Sequence, residues 1–81
     1  MHHKQYIQVI ASFTKEGKVL PLSVVADNGL SYPIDKVTQI INAASLKSGG
    51  AGIRYTCHIG GHIRYLYLED TRWFIEKKEN S

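Results

Sequence analysis

The pair Gly60-Gly61 separates two β-favouring runs, Ile53-Arg54-Tyr55-Thr56-Cys57-His58-Ile59 and His62-Ile63-Arg64-Tyr65-Leu66-Tyr67-Leu68. A two-residue hairpin turn of the I′ kind needs positive φ at both central positions, which glycine adopts without steric cost, so the two runs fold back on each other as antiparallel strands. With Ile59 opposite His62, Tyr55 faces Leu66 and Ile53 faces Leu68 on one side of the pair, while Arg54 faces Tyr67 and Thr56 faces Tyr65 on the other. A second tight turn at Asp70-Thr71 sets Glu69 against Arg72, Trp73 against Leu68 and Ile75 against Leu66, with Phe74 beside Tyr67. The Leu66/Trp73 side reads as core, and a slip of one residue would exchange the two sides.

Upstream, Ile7, Val9, Ala11 and Phe13 alternate with Gln8, Ile10 and Ser12, the period-two pattern of a strand with one apolar face. Glu16-Gly17 supplies a turn. Val19–Ala26 is a further strand, at an edge or bulged at Pro21, because proline has no N–H to give to a ladder. Asn28-Gly29 predicts another hairpin of the I′ type, with a strand returning through Tyr32 and Ile34. From Pro33 to Gly49 two readings compete. Ile34, Val37, Ile41 and Ala44 recur at helical spacing and Gly49 suits a helix cap, giving α+β with a helix at about 34–47. Thr38–Ile41 is β-favouring and Asn42 is a poor helix interior residue, giving an all-β chain.

The 81 residues make one small domain, expected over 5–77, with 1–4 a disordered start or tag remnant and 78–81 a frayed tail. A chain this short buries little over about 60 % of the surface its unfolded form exposes, so a large enzyme cavity is not expected. One cysteine rules out an internal disulfide and, with no signal peptide or long apolar run in the sequence, points to the cytoplasm and away from a membrane. Ten Lys and Arg against seven Asp and Glu give a net charge of +3. The excess sits in the middle: Lys36, Lys47, Arg54 and Arg64 meet no acid between Lys36 and Leu68.

The segments Tyr32-Pro33-Ile34-Asp35-Lys36-Val37, Ala43-Ala44-Ser45-Leu46-Lys47-Ser48-Gly49-Gly50, Gly52-Ile53-Arg54-Tyr55-Thr56-Cys57, Tyr65-Leu66-Tyr67 and Arg72-Trp73-Phe74-Ile75-Glu76 together resemble an uncharacterised family of short bacterial proteins. In such relatives the stretch matching Thr38–Ala44 can hold a proline, which implies an extended segment. The resemblance therefore favours an all-β fold, a small Src-homology-3-like barrel of six or seven strands. It implies no activity. Asp70-Thr71 departs from the Asp-Gly of the resemblance, and threonine accepts positive φ poorly.

Candidate chemistry is sparse. Cys57, His58 and His62 are close in sequence, but strand alternation puts Cys57 and His62 on one face and His58 on the other, so no four-ligand zinc site forms, and Cys57 reads as a small buried side chain. Ser48-Gly49-Gly50-Ala51-Gly52 has the composition of a weak anion nest beside Lys47 but lacks the order of a phosphate-binding loop. Asp27, Asp35, Glu69 and Asp70 fall at turns, where turn chemistry accounts for them. No catalytic motif or cofactor is implied. The informative set is the outer side of the meander, Arg54, Thr56, His58, Ile63, Tyr65, Tyr67 and Phe74. Aromatic rings beside a guanidinium suit single-stranded nucleic acid, with Tyr65, Tyr67 and Phe74 stacking on bases and Arg54, Lys47 and Lys36 on phosphates. The same face suits a protein partner or self-association. The competing structural reading has it covered by another strand.

Overall fold

The computed structural model describes residues 2–43 and 52–78. Seven strands follow one another: β1 (His2–Phe13), β2 (Val19–Val25), β3 (Ser31–Pro33), β4 (Lys36–Ala43), β5 (Gly52–Ile59), β6 (His62–Glu69) and β7 (Arg72–Lys78). They form one antiparallel sheet in the order β3-β2-β1-β7-β6-β5-β4, curled into a half-barrel. The all-β expectation holds, and the helix at 34–47 is replaced over its described part by β4. Among the described residues no helix is long and apolar enough to cross a membrane.

The curl can be read from bonds that skip strands. β2 and β5 have three strands between them in the sheet order, yet the Tyr55 hydroxyl on β5 donates to the Val19 carbonyl on β2 at 2.5 Å. The two edge strands, β3 and β4, are consecutive in the chain. The link between them stitches both ends of the sheet: Ile34 N–H donates to Leu22 O at 2.9 Å and Asp35 N–H to His58 O at 2.8 Å. Inside the curl, Tyr55, Cys57, Leu66, Leu68 and Trp73 are buried, with Ile7, Val9, Val24, Val37, Ile53 and Ile75 packed around them. Burying each large side chain contributes roughly 1.5–3 kcal/mol, which is why the Leu66/Trp73 side fixes the register.

The β5–β6 register is the expected one along its whole length, from Ile59↔His62 to Ile53↔Leu68. Gly60 and Gly61 both have positive φ, 56° and 79°. At the next turn Asp70 takes the positive φ, 55°, and Thr71 is spared it; aspartate tolerates the left-handed region better than threonine does. The Asn28-Gly29 hairpin forms, but not as a I′ turn. Only Gly29 has positive φ, Gly29 N–H bonds Ala26 O at 2.8 Å, and Ala26 N–H bonds Leu30 O at 2.8 Å. That is a three-residue connection, a tight turn closed by a left-handed glycine, and the Asn28 side chain is used to accept from Leu30 N–H. Pro21 lies beside a register shift: Ile10 pairs with Ser23 and Ala11 with Pro21, leaving Leu22 over. Phe13, at the end of β1, is 79 % exposed and adds nothing to the core.

The sheet begins earlier than the sequence suggests. His2, His3 and Lys4 pair with Lys78, Lys77 and Glu76, so β1 pairs with β7 from Trp73 to its end and residues 2–4 belong to the domain. Of the expected frayed tail only Lys78 is among the described residues, and it is in β7.

Gly52 marks a close approach. A Cβ there would lie 2.6 Å from the Leu68 carbonyl oxygen, backbone that the Ile53↔Leu68 pairing holds in place. Gly52→Ala is expected to destabilise the fold by about 1–3 kcal/mol, the range for overpacking, with the midpoint of thermal unfolding falling by roughly 4–8 °C per kcal/mol. An unchanged midpoint would show that β5 and β6 yield at this point.

Candidate ligand-binding groove

The ladder between β6 and β7 is short. It comprises Glu69↔Arg72, Leu68↔Trp73 and Tyr67↔Phe74 and stops there, so the expected pairing of Ile75 with Leu66 does not form. Beyond Tyr67 the first half of β6 stays with β5 and the last part of β7 stays with β1. The sheet therefore splits between β6 and β7. In an antiparallel pair the backbone groups alternate in direction, and the two-residue turn at Gly60-Gly61 makes Ile59↔His62 a hydrogen-bonded pair. His62, Arg64 and Leu66 thus direct N–H and C=O to β5, while Ile63 and Tyr65 direct theirs into the split. One of these groups has a local partner: Ile63 O accepts from Arg64 Nη1 at 3.2 Å.

An open groove of about 450 Å³ occupies the outer side of the split, lined by Arg54, Ile63, Arg64, Tyr65 and Tyr67 on β5 and β6 and by Ile75 and Glu76 on β7. Tyr65 is 49 % exposed and Ile63 56 % exposed. The Arg54 guanidinium carbon lies 5.1 Å from the centre of the Tyr65 ring, within cation–π range. Arg54 Nε is buried and has no hydrogen-bond partner, a state that costs about 1–3 kcal/mol and that few native donors tolerate.

The expected base-stacking platform is not assembled. Phe74 is 0 % exposed although it lies on the outer side of the sheet. Its ring stacks on Tyr67 at 5.1 Å, meets the edge of Tyr6 at 5.8 Å and has the Lys4 ammonium 5.1 Å from its centre. Tyr67 is 7 % exposed, and burial together with a hydrogen bond to Glu76 raises its hydroxyl pKa. The cover comes from the start of β1. Lys4 bridges to Glu69 at 2.8 Å, and the Arg72 guanidinium sits 3.6 Å from the centre of the Tyr6 ring. The hydrogen bond between them raises the Lys4 pKa and lowers that of Glu69. Phe74 and Tyr67 are thus structural on this face, and Tyr65 is the one of the three rings that meets solvent.

The other expected site residues are dispersed. Lys36 pairs with His58, which pairs with Ile63, so it lies on the outer side two strands from β6 and does not line the groove. Lys47 lies outside the described residues, as does the Ser48-Gly49-Gly50-Ala51-Gly52 nest except for Gly52. Sequence reasoning missed Arg64, Ile75 and Glu76 as groove residues, and Lys4 and Tyr6 as its neighbours. Continuing the period-two alternation back from Ile7 would have placed Tyr6 and Lys4 on the outer face.

Cys57 is fully buried, and burial pushes its thiol up to about 11, so it is a protonated packing residue rather than a nucleophile. Among the described residues no three His, Cys, Asp or Glu side chains come together. The arrangement offers a split sheet edge, a half-exposed ring, apolar walls and two guanidinium groups, which suit binding. Comparison of the chain with protein-family models, with curated proteins and with solved structures returned no match.

Proposed function

We propose that this chain is a non-enzymatic binding module that takes an extended peptide along β6, in the split between β6 and β7. The carrying observation is the end of the ladder at Tyr67↔Phe74, which leaves the backbone of Ile63 and Tyr65 directed into a groove. An added strand is held through its main chain, and its alternate side chains find separate pockets. Here one set meets Ile63, Tyr65 and Arg54 on the outer side and the other meets Arg64. Both pockets carry a cation, so the peptide that fits alternates apolar and acidic residues. Only two β6 residues offer backbone groups, so the complex is weak and transient. Nucleic acid is supported less well because two of the three rings assigned to stacking are buried. The lone, buried cysteine suits a reducing cytoplasm.

Titration with short peptides that alternate valine and glutamate, followed by amide chemical shifts, is expected to move Ile63 and Tyr65 most. Binding should fall by about tenfold or more in Arg54→Met, since a hydrogen bond to a charged group contributes about 1.5–3 kcal/mol. An oligonucleotide arm decides the alternative. Binding of single-stranded DNA with a steep log-salt dependence, alongside silent peptides, would replace this reading with nucleic-acid recognition.

A further inference from the structure

The split has an inner side as well. A second groove, of about 270 Å³, opens inside the curl between Ile7, Val24, Ile59, Leu66 and Ile75, with Tyr32 and Arg64 at its margin. Arg64 is the only charged residue among them. It pairs with Cys57, so alternation puts it on the concave side of β6, where its own side chain is exposed. Arg64 has five N–H donors, and the hydrogen bond it makes is to the neighbouring Ile63 carbonyl. Arg64 and Ile75 also line the outer groove, so the two spaces meet at the split.

A concave apolar space with one convergent charge at its mouth is the form of a small-ligand site in a barrel. We infer that the inner groove binds a medium-chain carboxylate, its hydrocarbon tail among Val24, Ile59, Leu66 and Ile75 and its carboxylate on the Arg64 guanidinium. The walls of the groove are apolar apart from Arg64 and the Tyr32 hydroxyl, which suits a hydrocarbon tail with its charged end at the margin. The planar guanidinium fork fits a carboxylate in a bidentate manner and gives the site its preference for an acid over a neutral amphiphile. This site shares Arg64 with the inner pocket proposed for the peptide, and it is told apart by its reporters: the Val24, Ile59 and Leu66 methyl groups for the carboxylate, the Ile63 and Tyr65 amides for the peptide.

Octanoate and octan-1-ol, each titrated below its aggregation limit into the isotope-labelled protein, test the assignment. Octanoate is expected to give saturable shifts of the Val24, Ile59, Leu66 and Ile75 methyl groups, and octan-1-ol to bind about tenfold or more weakly. Arg64→Met should bring octanoate down to the level of the alcohol, and Arg54→Met should leave it unchanged. Equal affinity for acid and alcohol in the unmodified protein would overturn the inference without recourse to any variant. So would the absence of saturation, or shifts confined to Ile63 and Tyr65.

Discussion

Phe74→Ala is expected to lower the free energy of unfolding by about 3–5 kcal/mol, the range for removing a buried aromatic ring, out of the roughly 5–15 kcal/mol that holds a domain together. The size of the loss follows from where the ring sits. Phe74 is on the outer side of the sheet, opposite in sense to the core, yet it is fully buried beneath Tyr6, Tyr67 and Lys4. Deleting it opens a cavity between β1, β7 and β6 and also removes the surface on which Tyr67 stacks. Phe74→Leu keeps most of the volume and should cost much less. Chemical denaturation of the two variants provides the check. If Phe74 were a ligand platform, alanine would weaken binding and leave the unfolding midpoint where it was.

Alkaline titration is expected to produce the second large effect. The Cys57 thiol is raised from 9.0 to about 11 by burial, and burial also raises Tyr55. The folded state therefore resists losing these protons. Below pH 9 the thiol is neutral in both states and the full stability is present. Between about pH 9 and 11 the unfolded chain loses its thiol proton first, binds fewer protons than the folded chain, and is favoured increasingly as pH rises. The loss across this window from Cys57 is on the order of 2–3 kcal/mol, to which Tyr55 adds in the same direction. Cys57→Ala, which has no proton to lose, should flatten the pH 9–11 part of the curve while lowering stability at neutral pH through the cavity it leaves. A curve of the same slope in both proteins would show that the thiol is not held in its neutral form by packing.

What could be read in the sequence was set by local chemistry. Gly60-Gly61 fixed one turn, that turn fixed a register, and the register placed Tyr55, Cys57, Leu66 and Trp73 on a common face, where they are buried. The choice of a strand over a helix rests on β-favouring residues at Thr38–Ile41 and on the resemblance, and β4 forms over Lys36–Ala43. The candidate site was less legible because its features are non-local. Alternation assigns Phe74 to the outer side but says nothing of what lies above it, and the cover is supplied by Tyr6 and Lys4, 68 and 70 positions away in the chain. Nor does alternation reveal where a ladder ends. Leu66 and Ile75 are apolar and in register, yet β7 follows β1 beyond Phe74 and leaves β6 behind, which is a property of how the sheet curls. The Asn28-Gly29 turn shows the same limit on a smaller scale, since the dipeptide permits two hairpin forms and the Asn28 side-chain bond accompanies the longer one.

Everything proposed for ligand binding depends on the split in the sheet, and amide hydrogen exchange of the free protein tests it residue by residue. Tyr67, inside the ladder, and Leu66, bonded to β5, should exchange slowly, whereas Ile63 and Tyr65, whose N–H groups enter the split, should exchange at rates approaching those of exposed backbone. Protection of Ile63 and Tyr65 equal to that of Tyr67 would mean that β6 and β7 pair along their full lengths, and that the grooves on both sides of the sheet are closed.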